Sequence, residues 1–233
     1  MGFIRRGLGA LVIALAAAVA APAAALPPPA EVGGEPVRFA STSPFVLAEA
    51  GDDAAAVEAE GRLFLPPDTA GPVPAVVLLH GAGGVSWDRE RRYARQFAAR
   101  GWAALVVDVF GARVAPGTGF TERLLNVTEA MFLADAYAGL RFLAEHPRVD
   151  GERVALVGFS YGGMASIYAL HAQVAARYAA NGERFAAHAA YYAPCIARFE
   201  RVDTTGAPLL MQYGTADAIV DPARCEAVPY DLR

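Results

Sequence analysis

The 233-residue sequence predicts an α/β fold in which helices cover both faces of a mostly parallel, doubly wound sheet. Three observations lead to this class. Short, nearly continuous apolar runs recur along the chain, each bounded by Gly, Pro or Asp, which is typical of strands buried on both faces. Longer helical stretches alternate with these runs, and the right-handed βαβ unit is the standard result of such alternation. The length suits one domain, and we find no internal repeat.

The predicted strands differ in character along the chain. Residues 57–65 partly alternate between apolar and polar side chains, as an antiparallel edge strand with one solvated face does. After a turn near residues 66–68 the runs become continuously apolar. Five buried parallel strands are predicted there: AVVLLH (75–80), AALVVDVF (103–110), VALVGF (154–159), AAHAAYY (186–192) and PLLMQYG (208–214).

Three helices are predicted between these strands. The first covers residues 88–100 and stops at Gly101, a residue favoured just beyond a helix end. The second covers residues 127–145, carries one apolar stripe and ends before Pro147. The third covers residues 161–178 and is apolar on most sides, which indicates a central, buried helix.

The first 25 residues have the pattern of a secretory signal peptide. Arg5 and Arg6 precede an apolar stretch, and an Ala-x-Ala site ends at Ala25, where we expect cleavage. An uncleaved membrane anchor is the alternative, because the apolar run approaches the lower length of a spanning helix. Residues 26–36 follow as a Pro-rich spacer, and residues 37–233 form the domain. We therefore expect an exported protein, periplasmic or secreted, without stable membrane association after cleavage.

The composition excludes several chemistries. The sequence contains no lysine, so it has no phosphate-loop, Schiff-base or general-base lysine. Two cysteines and four scattered histidines give none of the spacings of zinc sites, and we expect no metal. A net charge of -4 without a basic block argues against nucleic acid as a partner. The oligomeric state is left open.

The motif Gly158-Phe159-Ser160-Tyr161-Gly162 joins a predicted strand to a predicted helix. This is the G-x-S-x-G nucleophile elbow in its required context, where glycines allow the close approach of strand and helix around a strained serine. The serine hydroxyl is then expected at the carboxyl edge of the sheet, where open α/β sheets bind ligands. The sequence thus predicts Ser160 as a nucleophile.

A Gly-rich loop follows the strand AVVLLH as His80-Gly81-Ala82-Gly83-Gly84. Its position predicts an oxyanion hole, formed by the backbone N–H of Ala82 or Gly83 together with that of Tyr161. A phosphate-binding turn is the alternative, but the full G-x-G-x-x-G pattern and a phosphate-loop lysine are both absent from the sequence.

Asp217 follows the last predicted strand, at the place of a triad acid that comes after the nucleophile in sequence. Asp221 is the reserve candidate. The alternative is a loop aspartate that caps a helix starting near Pro222.

Four ordered blocks resemble the dienelactone hydrolase family of α/β-hydrolases: LFLPPDTAGPVPAVVLLHGAGG, HPRVDGERVALVGFSYGG, YYAPC and YGTADAIVDPARC. The resemblance runs from about Leu63 to the last residue. It implies an α/β-hydrolase fold and the hydrolysis of small-molecule esters or lactones without a cofactor. The family nucleophile is commonly cysteine, and here the motif places Ser160 instead. The natural substrate stays open.

The family mechanism needs an imidazole to take the proton of the nucleophile, and in this fold that histidine follows the acid. No histidine follows Asp217 in the sequence. We therefore expect a truncated form of a longer hydrolase, lacking the last strand and helix, with severely impaired chemistry. His80 is the alternative base, since it lies at the correct sheet edge. The other three histidines are predicted to be packing or surface residues.

Cys195 and Cys225 are predicted to pair. Each follows one of two neighbouring strands, and an exported protein experiences an oxidising environment. Two unpaired buried thiols are the alternative. For the protein as a whole, the first hypothesis is an exported serine hydrolase, and the second is a protein of the same fold that binds a small ligand or partner without turnover.

Overall fold

The structure is a computed structural model that describes residues 33–50, 54–67, 69–179, 181–196, 199 and 203–231. The predicted signal peptide and residues 26–32 of the predicted spacer lie outside the described residues. The first strand begins at Gly34, so residues 34–36, predicted as spacer, belong to the sheet. Among the described residues, no helix is both long and apolar enough to cross a membrane.

Within the described residues, seven strands form one mixed sheet in the order β1-β2-β4-β3-β5-β6-β7. The first two strands run antiparallel to their neighbours, and the strands from β4 to β7 pair in parallel. This confirms the predicted fold class. The bounds are β1 (Gly34–Thr42), β2 (Ala56–Phe64), β3 (Val73–Leu79), β4 (Ala103–Asp108), β5 (Val149–Phe159), β6 (Ala187–Tyr191) and β7 (Leu209–Gln212).

Helices cover both faces of this sheet. Alternate residues of β3 show this directly. Val77 and Leu79 pack in the cluster that contains the helix Glu129–Ala144, whereas Val76 and Leu78 pack against the helix Arg92–Ala98. A π-helical turn at Trp87–Arg91 comes directly before the first α-helix, and a short 3₁₀ turn lies at Leu47–Glu49. The helices are α1 (Arg92–Ala98), α2 (Phe120–Asn126), α3 (Glu129–Ala144), α4 (Tyr161–Tyr168), α5 (Ala172–Tyr178) and α6 (Pro222–Asp231).

Three predictions about elements were incomplete. The sheet has an additional strand, β1, outside β2, so the strand predicted as the edge is the second one. Helix α2 was not predicted. The predicted helix 161–178 is two helices, because the backbone of His171 is extended and bridges Thr204. A tertiary contact, which local periodicity does not report, therefore ends α4.

The predicted disulfide is confirmed between Cys195 and Cys225. Their Cα atoms lie 5.1 Å apart, inside the usual range for a bridge. The bond joins the segment after β6 to α6 and closes a loop with a sequence separation of 30. The chain-entropy model gives a stabilisation of about 3 to 4 kcal/mol for a loop of this length.

Candidate active site

Ser160 lies between the end of β5 and the first residue of α4. Its backbone has φ 53° and ψ −115°, a conformation that is strained for a residue with a side chain. Its N–H donates to the Tyr191 carbonyl at 2.9 Å, and its carbonyl accepts from the Met164 N–H at 3.0 Å. Hydrogen bonds to β6 and α4 therefore hold the strained residue in place. The side chain of Ser160 is only partly buried.

Two glycines around Ser160 stand where no side chain fits. A Cβ atom at Gly158 would lie 2.0 Å from the Gly162 carbonyl oxygen, and one at Gly162 would lie 2.6 Å from the His80 carbonyl oxygen. The Gly162 N–H donates to that same His80 carbonyl at 3.1 Å. The glycines of the motif thus allow β5, α4 and the end of β3 to meet without intervening atoms.

The Gly-rich loop, residues 80–84, passes beside Ser160. A Cβ atom at Gly81 would lie 3.6 Å from the Ser160 hydroxyl oxygen. The loop closes on itself, because the Gly84 N–H donates to the Gly81 carbonyl at 3.0 Å and Gly84 has a positive φ of 87°. The structure therefore brings together the two motifs that the sequence places far apart.

The ring of His80 is fully buried, and both of its nitrogens have partners. Nδ1 donates to the Gly81 carbonyl at 2.7 Å, and Nε2 accepts from the Val109 N–H at 3.1 Å. A carbonyl only accepts and an N–H only donates, so these partners assign the neutral tautomer with the proton on Nδ1. Burial lowers the pKa of His80. The ring has no free lone pair, and the alternative role of His80 as general base is wrong.

His80 also orients the next peptide group. The Gly81 carbonyl accepts from both His80 Nδ1 and the Gly84 N–H, and a trans peptide directs its N–H opposite to its C=O. The N–H of that peptide belongs to Ala82. Within the described part of the chain, neither Ala82 nor Gly83 donates its N–H to a protein acceptor. The N–H of Tyr161 opens α4 and has no acceptor inside the helix.

Asp217 and Asp221 have different roles in their loop. Asp217 lies beyond the carboxyl end of β7, and its Oδ1 accepts from the backbone N–H groups of Ile219 and Val220 at 2.8 and 2.9 Å. These hydrogen bonds lower the pKa of Asp217. Asp221 caps α6, since its Oδ1 accepts from the Ala223 N–H at 3.0 Å. The predicted capping role thus belongs to Asp221.

The remaining histidines are packing or surface residues, as predicted. His171 is buried and its ring centroid lies 4.2 Å from that of Phe199. His188 is buried on β6, and its Nδ1 lies 3.0 Å from the Ser166 carbonyl. His146 is half-buried after α3 and accepts from the Arg148 N–H.

Burial lowers the pKa of His188 to about 4, so the folded protein holds this ring neutral where an unfolded chain protonates it. The contribution of His188 to the free energy of unfolding should therefore be constant above about pH 6.5 and fall as the pH drops toward 4. For His188 alone the expected loss is about 2 to 3 kcal/mol at the acid end. Urea unfolding at pH 7.0 and 4.5 measures it. His188→Gln should show a smaller difference between the two pH values, and an equal difference would contradict the assignment.

A comparison with protein families decides the membership of the chain. The model of the dienelactone hydrolase family matches residues 59–232, which include β3, the Gly-rich loop, Ser160 and Asp217. The chain belongs to the dienelactone hydrolase family.

Known relatives share only part of their length with this family member. Human mitochondrial acyl-coenzyme A thioesterase 2 is 34% identical over 103 residues, the quorum-quenching protein AidA of Acinetobacter baumannii is 32% identical over 99, and the esterase FrsA of an Enterobacter strain is 32% identical over 107. These matches cover 44%, 42% and 46% of this chain, but only 19%, 31% and 24% of the relatives.

Solved structures share the fold at low identity. A dienelactone hydrolase-like promiscuous phosphotriesterase from metagenomic libraries has a TM-score of 0.62 at 21% identity, with 86% of this chain and 77% of that chain covered. Esterase 2 of Thermogutta terrifontis has a TM-score of 0.62 at 18% identity, covering 86% and 78%. Identities of this size show the fold alone.

Two arginine side chains donate hydrogen bonds to backbone carbonyls of the Gly-rich loop in this dienelactone hydrolase family member. The sequence did not predict these contacts. Arg89 donates to the Gly84 carbonyl at 3.3 Å, and Arg123 donates to the Gly83 carbonyl at 3.4 Å. Arg123 lies on α2, 40 residues beyond its partner in sequence. No local pattern indicates such a contact, because it depends on where α2 lies against the loop.

Proposed function

We propose that this chain hydrolyses small carboxylic esters or lactones with Ser160 as the nucleophile. The observation that carries the proposal is the contact between elbow and loop, in which a strained, partly exposed serine lies beside Gly81. Strain of this kind concentrates at functional sites. Among the described residues, no acceptor outside the helices pairs with the amide of Ala82, Gly83 or Tyr161, and such amides suit a developing oxyanion.

In the proposed reaction the Ser160 oxygen attacks the carbonyl carbon of the ester. The negative oxygen of the tetrahedral intermediate accepts hydrogen bonds from the amides of Ala82 or Gly83 and of Tyr161. The ester C–O bond then breaks, and the proton that the Ser160 hydroxyl gives up passes through solvent water to the leaving alkoxide, which departs as an alcohol. Water hydrolyses the acyl-serine in a second step and regenerates the hydroxyl.

The general base is the weak point of this reaction. Asp217 is the proposed triad acid, whose task is to orient an imidazole, but no histidine follows it in the sequence. Both ring nitrogens of His80 are used in hydrogen bonds to the backbone, and His188 is buried against the Ser166 carbonyl. We therefore expect slow turnover by this chain, about 10³ to 10⁴ over the uncatalysed rate, from the oxyanion hole and substrate binding alone.

The names of relatives support carbonyl chemistry of this kind. One curated relative is an acyl-coenzyme A thioesterase and another is an esterase, and both activities proceed by attack on an acyl carbon. A second candidate function is ligand binding without turnover. It is favoured by the use of Asp217 Oδ1 for two backbone hydrogen bonds.

A fluorophosphonate probe tests the nucleophile. We expect covalent modification at Ser160, located by peptide mass spectrometry, and weak hydrolysis of 4-nitrophenyl butyrate. Ser160→Ala should lose both. Ser86→Ala is the matched control, because Ser86 also lies near the Gly-rich loop but its hydroxyl accepts from the Asp88 N–H at the start of the π-helical turn. Equal rates for the native protein and Ser160→Ala, without modification of Ser160, would leave the binding function.

We also infer that the protein works in an oxidising compartment. The Cys195–Cys225 disulfide supports this inference, because such bonds persist mainly outside the cytosol. Cell fractionation with amino-terminal sequencing tests it together with the expected cleavage after Ala25. Full-length protein recovered only from the cytosol, with both thiols free, would refute it.

A further inference from the structure

Glu90 is a fully buried carboxylate that the proposed reaction does not use. It lies in the π-helical turn that follows the Gly-rich loop, and its Oε2 accepts from the Ser86 N–H at 2.8 Å. A glutamate that reaches back to the start of a helix is a common cap, but glutamate is almost never fully buried unless its charge is paired. The burial of Glu90 therefore depends on a cationic partner.

Arg89 is that partner, and it also reaches the Gly-rich loop. Its Nε donates to Glu90 Oε1 at 2.5 Å, and its Nη2 donates to the Gly84 carbonyl at 3.3 Å. Adjacent side chains of a regular α-helix do not face each other, and this pair forms within a π-helical turn instead. Such turns are frequent at functional sites. One guanidinium thus joins the buried carboxylate to the loop.

The same guanidinium lies against the nucleophile elbow. Its carbon is 5.7 Å from the centroid of the Phe159 ring, and Phe159 directly precedes Ser160. Arg89 also lies beside the Tyr192 hydroxyl and interacts with it electrostatically. In the described part of the chain, Ser160 and Tyr192 are the two non-glycine residues with positive φ. Arg89 therefore contacts the Gly-rich loop and the strained region around the serine at once.

Gly84 connects Arg89 to the amides proposed for the oxyanion hole. The Gly84 N–H donates to the Gly81 carbonyl at 3.0 Å, and that carbonyl belongs to the peptide group whose N–H is that of Ala82. Since Gly84 is held at its carbonyl by Arg89 and at its N–H by Gly81, the short segment between them has little freedom to turn. Amides stabilise an oxyanion well only when they are oriented before the charge develops.

We infer that Arg89 and Glu90 are positioning residues for the oxyanion hole. Glu90 holds the Ser86 N–H where the chain leaves the Gly-rich loop and fixes the Arg89 guanidinium, and Arg89 holds Gly84 against the elbow. Both residues act through the loop rather than on the substrate. The inference rests on the proposed function, because the orientation of these amides affects a rate only if Ser160 attacks a carbonyl.

The reaction of Ser160 with a fluorophosphonate is the first test. For each labelled Ser160, the second-order rate constant should fall about 10- to 100-fold in Arg89→Gln and in Glu90→Gln, less than for the loss of a whole oxyanion donor. With 4-nitrophenyl butyrate, kcat should fall by a similar factor while KM changes by less than about twofold. Intact-mass analysis counts the labelled sites, so an unfolded fraction lowers their number without changing the rate constant of the others.

Two further variants separate positioning from damage to the fold. Arg92→Gln removes the same charge from an exposed neighbour and should leave both rate constants unchanged. Arg89→Lys keeps a positive charge beside Glu90, but one ammonium group does not reproduce the planar fork that reaches both Glu90 and Gly84. It should keep the native urea midpoint and still lose about tenfold in kcat. Native rate constants in Arg89→Lys and Arg89→Gln, or fewer labelled sites reacting at the native rate, would overturn the positioning role.

Amide hydrogen exchange of the whole protein distinguishes this inference from the proposed function. Peptides that cover residues 81–86 should exchange faster in Arg89→Gln than in the native protein, whereas peptides from β3 and β5 should not. Faster exchange in the variant, together with no labelling of Ser160 in the native protein, would refute the proposed function and leave Arg89 and Glu90 as anchors of the loop. Unchanged exchange at residues 81–86 would refute the anchoring itself.

Discussion

Gly158→Ala should leave little or no correctly folded protein. The added methyl group would lie 2.0 Å from the Gly162 carbonyl oxygen, 2.2 Å from its carbon and 2.5 Å from the Gly163 nitrogen. These are backbone atoms of α4, so no side-chain rotation relieves the overlap. β5 and α4 would have to separate at the position where Ser160 is held. We expect a destabilisation above about 4 kcal/mol, which is exceptional for one methyl group.

Urea unfolding monitored by circular dichroism, together with soluble yield, measures this effect. Gly71→Ala is the matched control, because a Cβ atom there meets no atom within 4 Å, and its free energy of unfolding should change by less than about 0.5 kcal/mol. Soluble Gly158→Ala protein with the native midpoint would show that β5 and α4 are not packed as described.

Asp135→Asn should destabilise the protein by about 3 to 5 kcal/mol. Asp135 is completely buried on α3, where both of its oxygens accept from Arg113, at 2.7 and 2.8 Å, and one also accepts from the Ser41 hydroxyl at 2.6 Å. Arg113 further donates to the Val109 and Thr42 carbonyls. Removing the carboxylate charge leaves a buried guanidinium without its counter-ion.

Two further variants separate this cause from general damage to the core. Asp150→Asn removes the acid of an exposed pair with Arg153, and it should cost at most about 1 kcal/mol. The double variant Arg113→Met, Asp135→Leu removes both buried charges, so it should be less destabilised than Asp135→Asn alone. Equal urea midpoints for Asp135→Asn and Asp150→Asn would contradict the role of the buried pair.

The central strands and the elbow could be predicted because each signal is local. β3, β4 and β5 are buried on both faces, so their apolar runs are continuous, and the Gly-x-Ser-x-Gly motif needs its glycines at fixed positions. The disulfide was predictable from the ends of two neighbouring strands. The strands and the elbow are each formed by residues close in sequence, whereas the disulfide joins cysteines 30 residues apart and was predictable only once the strands were placed next to each other.

Other features depend on contacts between distant segments. β1 carries Pro36 and several polar residues, and it becomes a strand because β2 offers a free edge for pairing. The Ser41–Asp135 hydrogen bond joins residues 94 apart, and Arg123 reaches the Gly-rich loop across 40 residues. A cavity beside Gly83 and Gly84 likewise forms only where α2 and the π-helical turn lie against the Gly-rich loop. The spacing of apolar residues within one segment contains no information about contacts with distant segments.

The pairing of β3 with β5 at the middle of the sheet has a consequence for local opening. The Gly-rich loop and Ser160 leave from the ends of these adjacent strands, whose ladder runs from Val73 and Val149 to Leu79 and Gly158. Amide hydrogens there are shielded on both sides by further strands, so this ladder should exchange with solvent mainly through global unfolding. Ser160 and the Gly-rich loop should therefore keep their arrangement in every local opening that leaves this ladder intact.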